Sequence, residues 1–113
     1  MAEKCLLFTY GLLMPGRSPP KSCSEHWPDR VKGRLYDLGQ FPGATGLGQG
    51  DGWVEGATLE LDADELPTLD EFEDTDSGEF RRVLVTTEAG YIAWAYEYQL
   101  KIPDGLTPRE RWR

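Results

Sequence analysis

The sequence predicts an α+β fold, a small mixed β-barrel of about five to six strands with one or two short helices. Thirteen glycines and eight prolines in 113 residues imply many turns, and therefore short elements. Several short apolar runs alternate as strands do, whereas one segment alone has the periodicity of a helix. The length fits a single domain, and an apolar fraction of 39% suffices for one core.

The predicted elements follow from these patterns. Strands are expected at residues 5–9, 31–38, 54–61, 80–87 and 91–100, the last two joined as a hairpin by residues 88–90. A helix is expected over residues 65–73, with Asp64 as N-cap and Pro67 in its first turn. Residues 14–29 and the glycine-rich residues 40–53 read as loops. Within the single domain 1–113, residues 101–113 read as a loosely held tail.

Charge narrows the range of partners. Twelve basic against twenty acidic residues give a net charge of −8, which disfavours nucleic acid and anionic membranes and favours a small-molecule ligand. The apolar run near the start is too short for a signal peptide or a membrane span. Two cysteines, Cys5 and Cys23, form no disulfide framework. We therefore expect a protein of the reducing cytoplasm.

Glu73 is the acidic residue whose position asks for an explanation. Ten of the twenty acidic residues lie between Glu60 and Glu79, mostly as a solvated face. Leu66, Leu69 and Phe72 define an apolar stripe on the predicted helix, and Glu73 falls inside it. Such a carboxylate has either a structural explanation at a helix end or a functional one. If desolvated, it has a raised pKa and can exchange protons near neutrality.

Rival chemistries fit the residues poorly. The run from Asp74 to Gly78 hints at a calcium loop, but its glycine is the fifth residue rather than the sixth, and Val85 holds the twelfth position. His26 is the single histidine, so a transition-metal site lacks an imidazole pair. The same histidine would have to serve any cysteine nucleophile. No metal and no cofactor are therefore expected.

The first strand ends at Tyr10-Gly11-Leu12-Leu13, before a loop rather than a helix. Such an end leaves backbone N–H groups without strand partners, and these can bind a carboxylate or a carbonyl oxygen. The alternative is an ordinary turn. Arg81 and Arg82 are candidate partners of Glu73 or ordinary residues of a strand surface.

Several motifs occur in one order along the chain, each of them short. They are Tyr10-Gly11-Leu12-Leu13, Gly33-Arg34-Leu35-Tyr36, Val54-Glu55-Gly56, Leu69-Asp70-Glu71-Phe72-Glu73 and Phe80-Arg81-Arg82. The ordered set, which spans residues 6–98, resembles the γ-glutamylcyclotransferase-like family, nearest to its γ-glutamylamine cyclotransferase and short bacterial branches.

The resemblance implies a small β-barrel with a cavity at its mouth and Glu73 as catalytic acid/base. The implied reaction cyclises a γ-glutamyl amine or amino acid to 5-oxoproline, without metal or redox cofactor. The substrate-binding residues expected on this basis are Tyr10, Gly11, Leu12, Leu13, Arg82 and Tyr98.

Two residues depart from the family pattern. Leu12 stands where the family has a hydroxyl residue, and Phe80 stands where it has a tyrosine. Backbone donors and Glu73 survive both changes, so the chemistry is expected to persist while the substrate differs. The alternative is a non-catalytic module on the same fold that binds a small molecule or a protein.

Overall fold

The computed structural model describes residues 3–112, which form seven strands and one α-helix. The elements are β1 (Lys4–Thr9), β2 (Glu25–Lys32), β3 (Arg34–Asp37), β4 (Pro42–Thr45), β5 (Trp53–Asp62), α1 (Leu66–Phe72), β6 (Phe80–Thr86) and β7 (Ile92–Tyr98). Five strands make one sheet in the order β2-β5-β1-β7-β6, while β3 and β4 pair separately. The predicted α+β class is confirmed.

The core lies on both faces of the five-stranded sheet. Neighbouring residues of a strand point to opposite faces, and the consecutive residues Leu7 and Phe8 of β1 belong to separate clusters. The cluster around Phe8 includes Leu35 of the small sheet, and the cluster around Leu7 includes Leu66 of α1. The central strand β1 is therefore covered by the β3–β4 pair on one side and by the helix on the other.

The predicted barrel is not found as a closed structure among residues 3–112. The sheet does curl, because the N–H of Glu88, in the β6–β7 turn, donates to the Arg30 carbonyl of β2 over 2.8 Å. The rings of Trp27 and Tyr91 also meet there, with centroids 5.0 Å apart. However, β2 and β6 end the strand order without a ladder between them. The two edges of the sheet are therefore joined by turn and side-chain contacts, and not by strand pairing.

Two predicted loops contain strands. Strand β2 starts at Glu25 and includes Pro28, which lies opposite Ala57. An edge strand tolerates proline because one side of it needs no backbone donor. The predicted strand 31–38 is in fact two strands, separated at Gly33, whose φ is +153°. Strand β4 occupies the start of the glycine-rich segment, where its glycines concealed the pairing with β3.

The segment 101–113, predicted as loosely held, is docked near its end. The N–H of Arg109 donates to the Leu35 carbonyl over 2.7 Å, and the carbonyl of Glu110 accepts from the Glu55 N–H over 2.6 Å. Trp112 is buried in the Phe8 cluster, and its indole N–H donates to Asp37 over 3.1 Å. Residue 113 lies outside the described residues. A single buried tryptophan produces no periodic pattern, so the sequence does not reveal this docking.

Helix α1 is shorter than predicted and is preceded by a 3₁₀ turn, Ala63–Glu65. The predicted N-cap Asp64 is wrong, since the helix cap is Glu65 and makes no side-chain cap bond. The Glu65 carboxylate instead accepts from the backbone of Lys21 and Ser22 and thereby secures the preceding loop. None of the helical segments between residues 3 and 112 is long and apolar enough to cross a bilayer.

Candidate active site

A narrow cleft opens where β1 ends. Its walls come from the end of β1, the β3–β4 sheet, the helix end and the β6–β7 hairpin. The lining residues are Phe8, Thr9, Tyr10, Gly11, Leu12, Phe41, Pro42, Glu73, Phe80 and Tyr96. In this conformation the enclosed space is about 20 Å³, enough for a single water molecule.

Glu73 lies immediately after the last residue of α1 and is the helix C-cap. Its N–H donates to the Leu69 carbonyl over 2.9 Å, which continues the helical hydrogen bonding by one residue. Leu66 and Leu69, seven and four residues earlier, are buried on the same side of the helix. Phe72 departs from the predicted stripe, because 51% of it is exposed. The helix therefore turns two leucines and a carboxylate toward the sheet.

The Glu73 carboxylate is partly buried, and among residues 3–112 it has no hydrogen-bond or ion-pair partner. Burial is the main cause that raises its pKa, to about 7, and the negative charge of Glu79 raises it further. Half of the carboxyl groups are then ionised near neutral pH. Glu73 can accordingly both accept and return a proton under those conditions.

The turn at Gly11 and Leu12 supplies donors to the same cleft. The carbonyls of these two residues accept from Met14 N–H over 3.1 Å and Ser18 N–H over 2.9 Å. Within the described range 3–112, the N–H groups of Gly11, Leu12 and Leu13 donate to no protein acceptor. Unsatisfied amides beside a cleft are suited to binding a carbonyl oxygen or an anion.

Tyr10 lines the cleft, and its hydroxyl makes two hydrogen bonds to the backbone of neighbouring strands. The hydroxyl donates to the Tyr96 carbonyl over 2.5 Å and accepts from the Ala44 N–H over 3.3 Å. Burial is the largest cause that raises the pKa of Tyr10 far above its ordinary value, and the Glu73 charge adds to it. The phenol therefore stays protonated and joins β1 to β4 and β7.

The chain as a whole resembles known proteins. The family described as "Gamma-glutamyl cyclotransferase, AIG2-like" matches residues 7–113. The chain belongs to this family. The resemblance inferred from the ordered motifs is thereby confirmed. Among curated proteins, no significant match exists.

Solved structures agree with this assignment. Protein ytfP from Escherichia coli is 33% identical, with a TM-score of 0.66 over 94% of this chain and 92% of that one. An AIG2-like protein from Mus musculus has a TM-score of 0.80 at 20% identity, over 98% and 89%. A structure named gamma-glutamyl cyclotransferase is 20% identical, with a TM-score of 0.59 over 94% and 72%. The last two likenesses concern the fold alone.

In this member of the cyclotransferase family, the cleft brings together Tyr10, Gly11, Leu12 and Glu73 from the predicted site. Leu13 is 3% exposed and packs in the Leu7 cluster rather than lining the cleft. Tyr98 also lies outside the lining, where its ring packs edge-on against Phe80 with centroids 5.3 Å apart. The binding roles expected for Leu13 and Tyr98 therefore have no support from the cleft geometry.

Arg82 is partnered by Asp70 and not by Glu73. Its Nε and Nη2 donate to the two carboxylate oxygens of Asp70 over 2.9 and 3.3 Å, and its guanidinium stacks 4.4 Å from the centre of the Trp94 ring. The cleft lining does not include Arg82. The expected substrate contact of Arg82 is thus replaced, in this structure, by a contact with the helix.

Sequence reasoning did not identify Phe41, Pro42 and Tyr96 as cleft residues. Phe41 and Pro42 lie in the glycine-rich segment that was read as a loop. Tyr96 alternates along β7 with Trp94 and Tyr98, and alternation alone does not distinguish which of the three reaches the cleft. Across residues 3–112, no three His, Cys, Asp or Glu side chains are grouped so that they could hold a metal ion.

Proposed function

We propose that this protein cyclises a γ-glutamyl amine or γ-glutamyl amino acid to 5-oxoproline and releases the amine, with Glu73 as general acid/base. The observation that carries the proposal is the composition of the cleft. The Glu73 carboxyl group, its pKa raised to about 7, shares the cleft with the backbone amides of Gly11 and Leu12, and none of these groups has a partner within residues 3–112. Family membership supports a reaction of the cyclotransferase type.

The reaction begins with proton transfer. The ionised Glu73 accepts a proton from the α-ammonium of the substrate, and the free amine attacks the γ-carbonyl carbon of the same glutamyl unit. The carbonyl oxygen becomes negative, and the N–H groups of Gly11 and Leu12 are the donors available to it. Each donor of this kind contributes roughly 3 kcal/mol to the stabilisation of such an oxyanion.

The tetrahedral intermediate then collapses. The bond between the γ-carbon and the leaving nitrogen breaks, and Glu73 gives its proton to that nitrogen. A second proton passes from the attacking to the leaving nitrogen, so the products are 5-oxoproline and an ammonium ion. Because nucleophile and electrophile belong to one molecule, the step requires positioning and proton transfer by the protein, with no further reactant. The proposal therefore includes no cofactor.

Substrate binding must widen the cleft, since a γ-glutamyl group is far larger than one water. The rate should rise with pH to a midpoint near 7, because the carboxylate form of Glu73 is the proton acceptor.

A cytoplasmic location belongs to the same proposal and is supported by the free thiols of Cys5 and Cys23.

The test compares a γ-glutamyl compound that has a free α-amino group with its N-acetyl counterpart. The free compound should yield 5-oxoproline, and the acetylated one should be inert because its nitrogen lone pair is held in an amide. A hydrolase would convert both to glutamate derivatives with water as nucleophile. A non-catalytic binding module would shift its melting temperature with ligand but form no product. Either of these results would refute the cyclisation.

Glu73→Gln connects the activity to the residue. The amide keeps the shape of the side chain but cannot accept a proton, so turnover should fall by roughly 10²–10⁴-fold. Glu71→Gln is the matched control, because Glu71 is exposed on the same helix. Equal activity in the two variants, whether both are retained or both are lost, would remove Glu73 from the mechanism.

A further inference from the structure

The contacts of Glu73 itself do not fix the position of its side chain. Helix α1 has only seven residues, Glu73 lies beyond its last turn, and Asp74 follows in the left-handed region at φ 55°. The end of a short helix is prone to fraying. The Glu73 side chain makes no bond within residues 3–112 that would hold it. The buried Leu66 and Leu69 anchor the helix as a whole, and a side-chain contact near its last turn can hold this end in place.

Asp70 makes that contact. It lies three residues before Glu73, which places the two carboxylates on adjacent positions of the helix surface. Asp70 accepts two bonds from Arg82 and a third, of 2.7 Å, from the Tyr96 hydroxyl. Charge-assisted bidentate bonds are roughly twice as strong as neutral ones. They attach the last turn of α1 to the β6–β7 hairpin.

On the hairpin side of this contact, the two partners of Asp70 are neighbours. Arg82 and Tyr96 are directly opposite each other in the β6–β7 ladder, and Trp94 supports the guanidinium from one face. Burial is the main cause that raises the pKa of Tyr96 far above its ordinary value, followed by its bond to Asp70. Tyr96 therefore remains a donor at any physiological pH.

Tyr96 also reaches the other half of the cleft. Its ring lines the cleft beside Glu73, and its carbonyl accepts the Tyr10 hydroxyl. Tyr10 immediately precedes the turn that presents the Gly11 and Leu12 amides. A chain of contacts thus joins the helix end, through Asp70 and Tyr96, to the donor turn.

We propose that Asp70 and Arg82 are positioning residues, which hold the end of α1 on Tyr96 and so set the distance between Glu73 and the Gly11–Leu12 amides. This inference rests on the proposed function. Neither residue lines the cleft, so both act through others. The inference replaces the substrate-binding role expected for Arg82 with a structural one inside the same site.

The kinetic test uses Asp70→Asn, Arg82→Gln and the double variant. Each single variant should lose 10- to 100-fold in kcat with KM changed less than threefold. The kcat of the double variant should be no lower than that of the less active single variant, because the effects of substitutions within one hydrogen-bond network do not add. The control is Arg81→Gln, at the neighbouring position of β6. The Arg81 side chain meets Glu97 of β7 at 3.7 Å, and the variant should keep full kcat. Multiplicative losses, or an equal loss in the control, would overturn the inference.

A second readout requires no substrate. Carbon-13 NMR of labelled glutamate side chains follows the Glu73 carboxyl, assigned by its absence in Glu73→Gln. The midpoint should lie near 7 in the native protein and fall toward 4.5 in the variants, because a loosened helix end exposes the carboxyl to water. The double variant removes one charge of each sign, so a shift that remains there reports position. A midpoint unchanged in the double variant would refute the positioning role.

The two readouts separate the two proposals. If the native protein forms no 5-oxoproline, the proposed function fails, and the NMR midpoints still decide whether Asp70 and Arg82 hold Glu73 in place. If Asp70→Asn does not fold, Tyr96→Phe provides a milder change. It removes the hydroxyl that donates to Asp70 and leaves the aromatic ring and all charges in place. Its Glu73 midpoint should move in the same direction by a smaller amount, and an unchanged midpoint would count against the network.

Discussion

At the scale of single residues, the chemistry depends on one partly buried carboxyl group, and its burial has a cost in stability. Glu73 titrates at an ordinary value of 4.5 in the unfolded chain and at about 7 in the folded protein. As pH rises from 4.5 to 7, the unfolded chain loses this proton first, so the free energy of unfolding falls. The loss is complete above pH 7 and amounts to roughly 3 kcal/mol at 1.36 kcal/mol per pKa unit.

Glu73→Gln should therefore stabilise the protein at high pH while removing its activity. Glutamine is never charged, so the variant lacks the penalty. Urea unfolding should show no difference from the native protein near pH 4 and a variant more stable by about 2–3 kcal/mol at pH 8. In the control Glu71→Gln, at an exposed position of the same helix, the change in the free energy of unfolding should stay within about 0.5 kcal/mol. A difference of the same size at both pH values would mean that Glu73 is not desolvated.

Leu12 is a second single residue that is expected to affect the reaction. It lines the cleft at the position where the family has a hydroxyl residue. Leu12→Thr should alter the KM for γ-glutamyl substrates by up to roughly tenfold, since a paired buried hydroxyl contributes about 0.5–1.5 kcal/mol. The backbone donors are unchanged, so kcat should vary less. Identical kinetics over a panel of γ-glutamyl compounds would show that the side chain at position 12 does not reach the ligand.

At the scale of elements, the turn after β1 approaches β4 so closely that only glycine fits. A Cβ atom on Gly11 would lie 2.6 Å from Cγ and 2.9 Å from Cδ of Pro42, and a proline ring cannot move aside as a flexible side chain does. The two residues line the cleft together. The width of the cleft therefore depends on how β1 meets the β3–β4 sheet.

Gly11→Ala should lower kcat/KM by at least tenfold, because either the donor turn or β4 must shift. The matched control is Gly90→Ala in the β6–β7 turn, where φ is +97° and the added methyl meets nothing within 4 Å. That variant is strained but remote from the cleft, so it should lose stability and keep kcat/KM. The assay is run below the melting temperature of both. Full activity in Gly11→Ala would show that the cleft tolerates the displacement.

At the scale of the whole molecule, the segment after β7 closes one face of the sheet. Residues 109–112 bond to β3 and β5, and Trp112 lies in the same cluster as Phe8 and Leu35. Trp112 is 6% exposed. The C-terminal segment is therefore part of the core that supports β1.

Trp112→Ala should reduce the free energy of unfolding by about 3 kcal/mol, which is the lower end for a buried aromatic residue. Leu106→Ala in the same segment is the control, because Leu106 is 38% exposed and should cost less than about 0.5 kcal/mol. Urea denaturation measures both. Equal free energies of unfolding for Trp112→Ala and Leu106→Ala would indicate that the segment 101–113 is loosely held, as the sequence predicted.

Local patterns were sufficient for several elements. The hairpin β6–β7, the central strand β1 and the helix before Glu73 were predicted because alternation, the 3.6-residue period and turn residues depend on neighbours in the sequence. Glu73 stood out for the same reason, as a carboxylate on the side of Leu66 and Leu69. Its place in the cleft beside Tyr10, Gly11 and Leu12 agrees with that reasoning, whereas its catalytic role stays a proposal.

Tertiary structure alone decided the features that join distant segments. Strand β2 contains a proline, and β4 contains a proline and a glycine. Only their pairing with β5 and β3 makes them strands. The partner of Arg82 could have been Glu73 or Asp70, two carboxylates three residues apart, and the folded structure places Asp70 against Arg82. The sequence by itself determined which groups could carry the chemistry. Their arrangement depended on packing between segments far apart in the chain, which leaves no periodic trace along it.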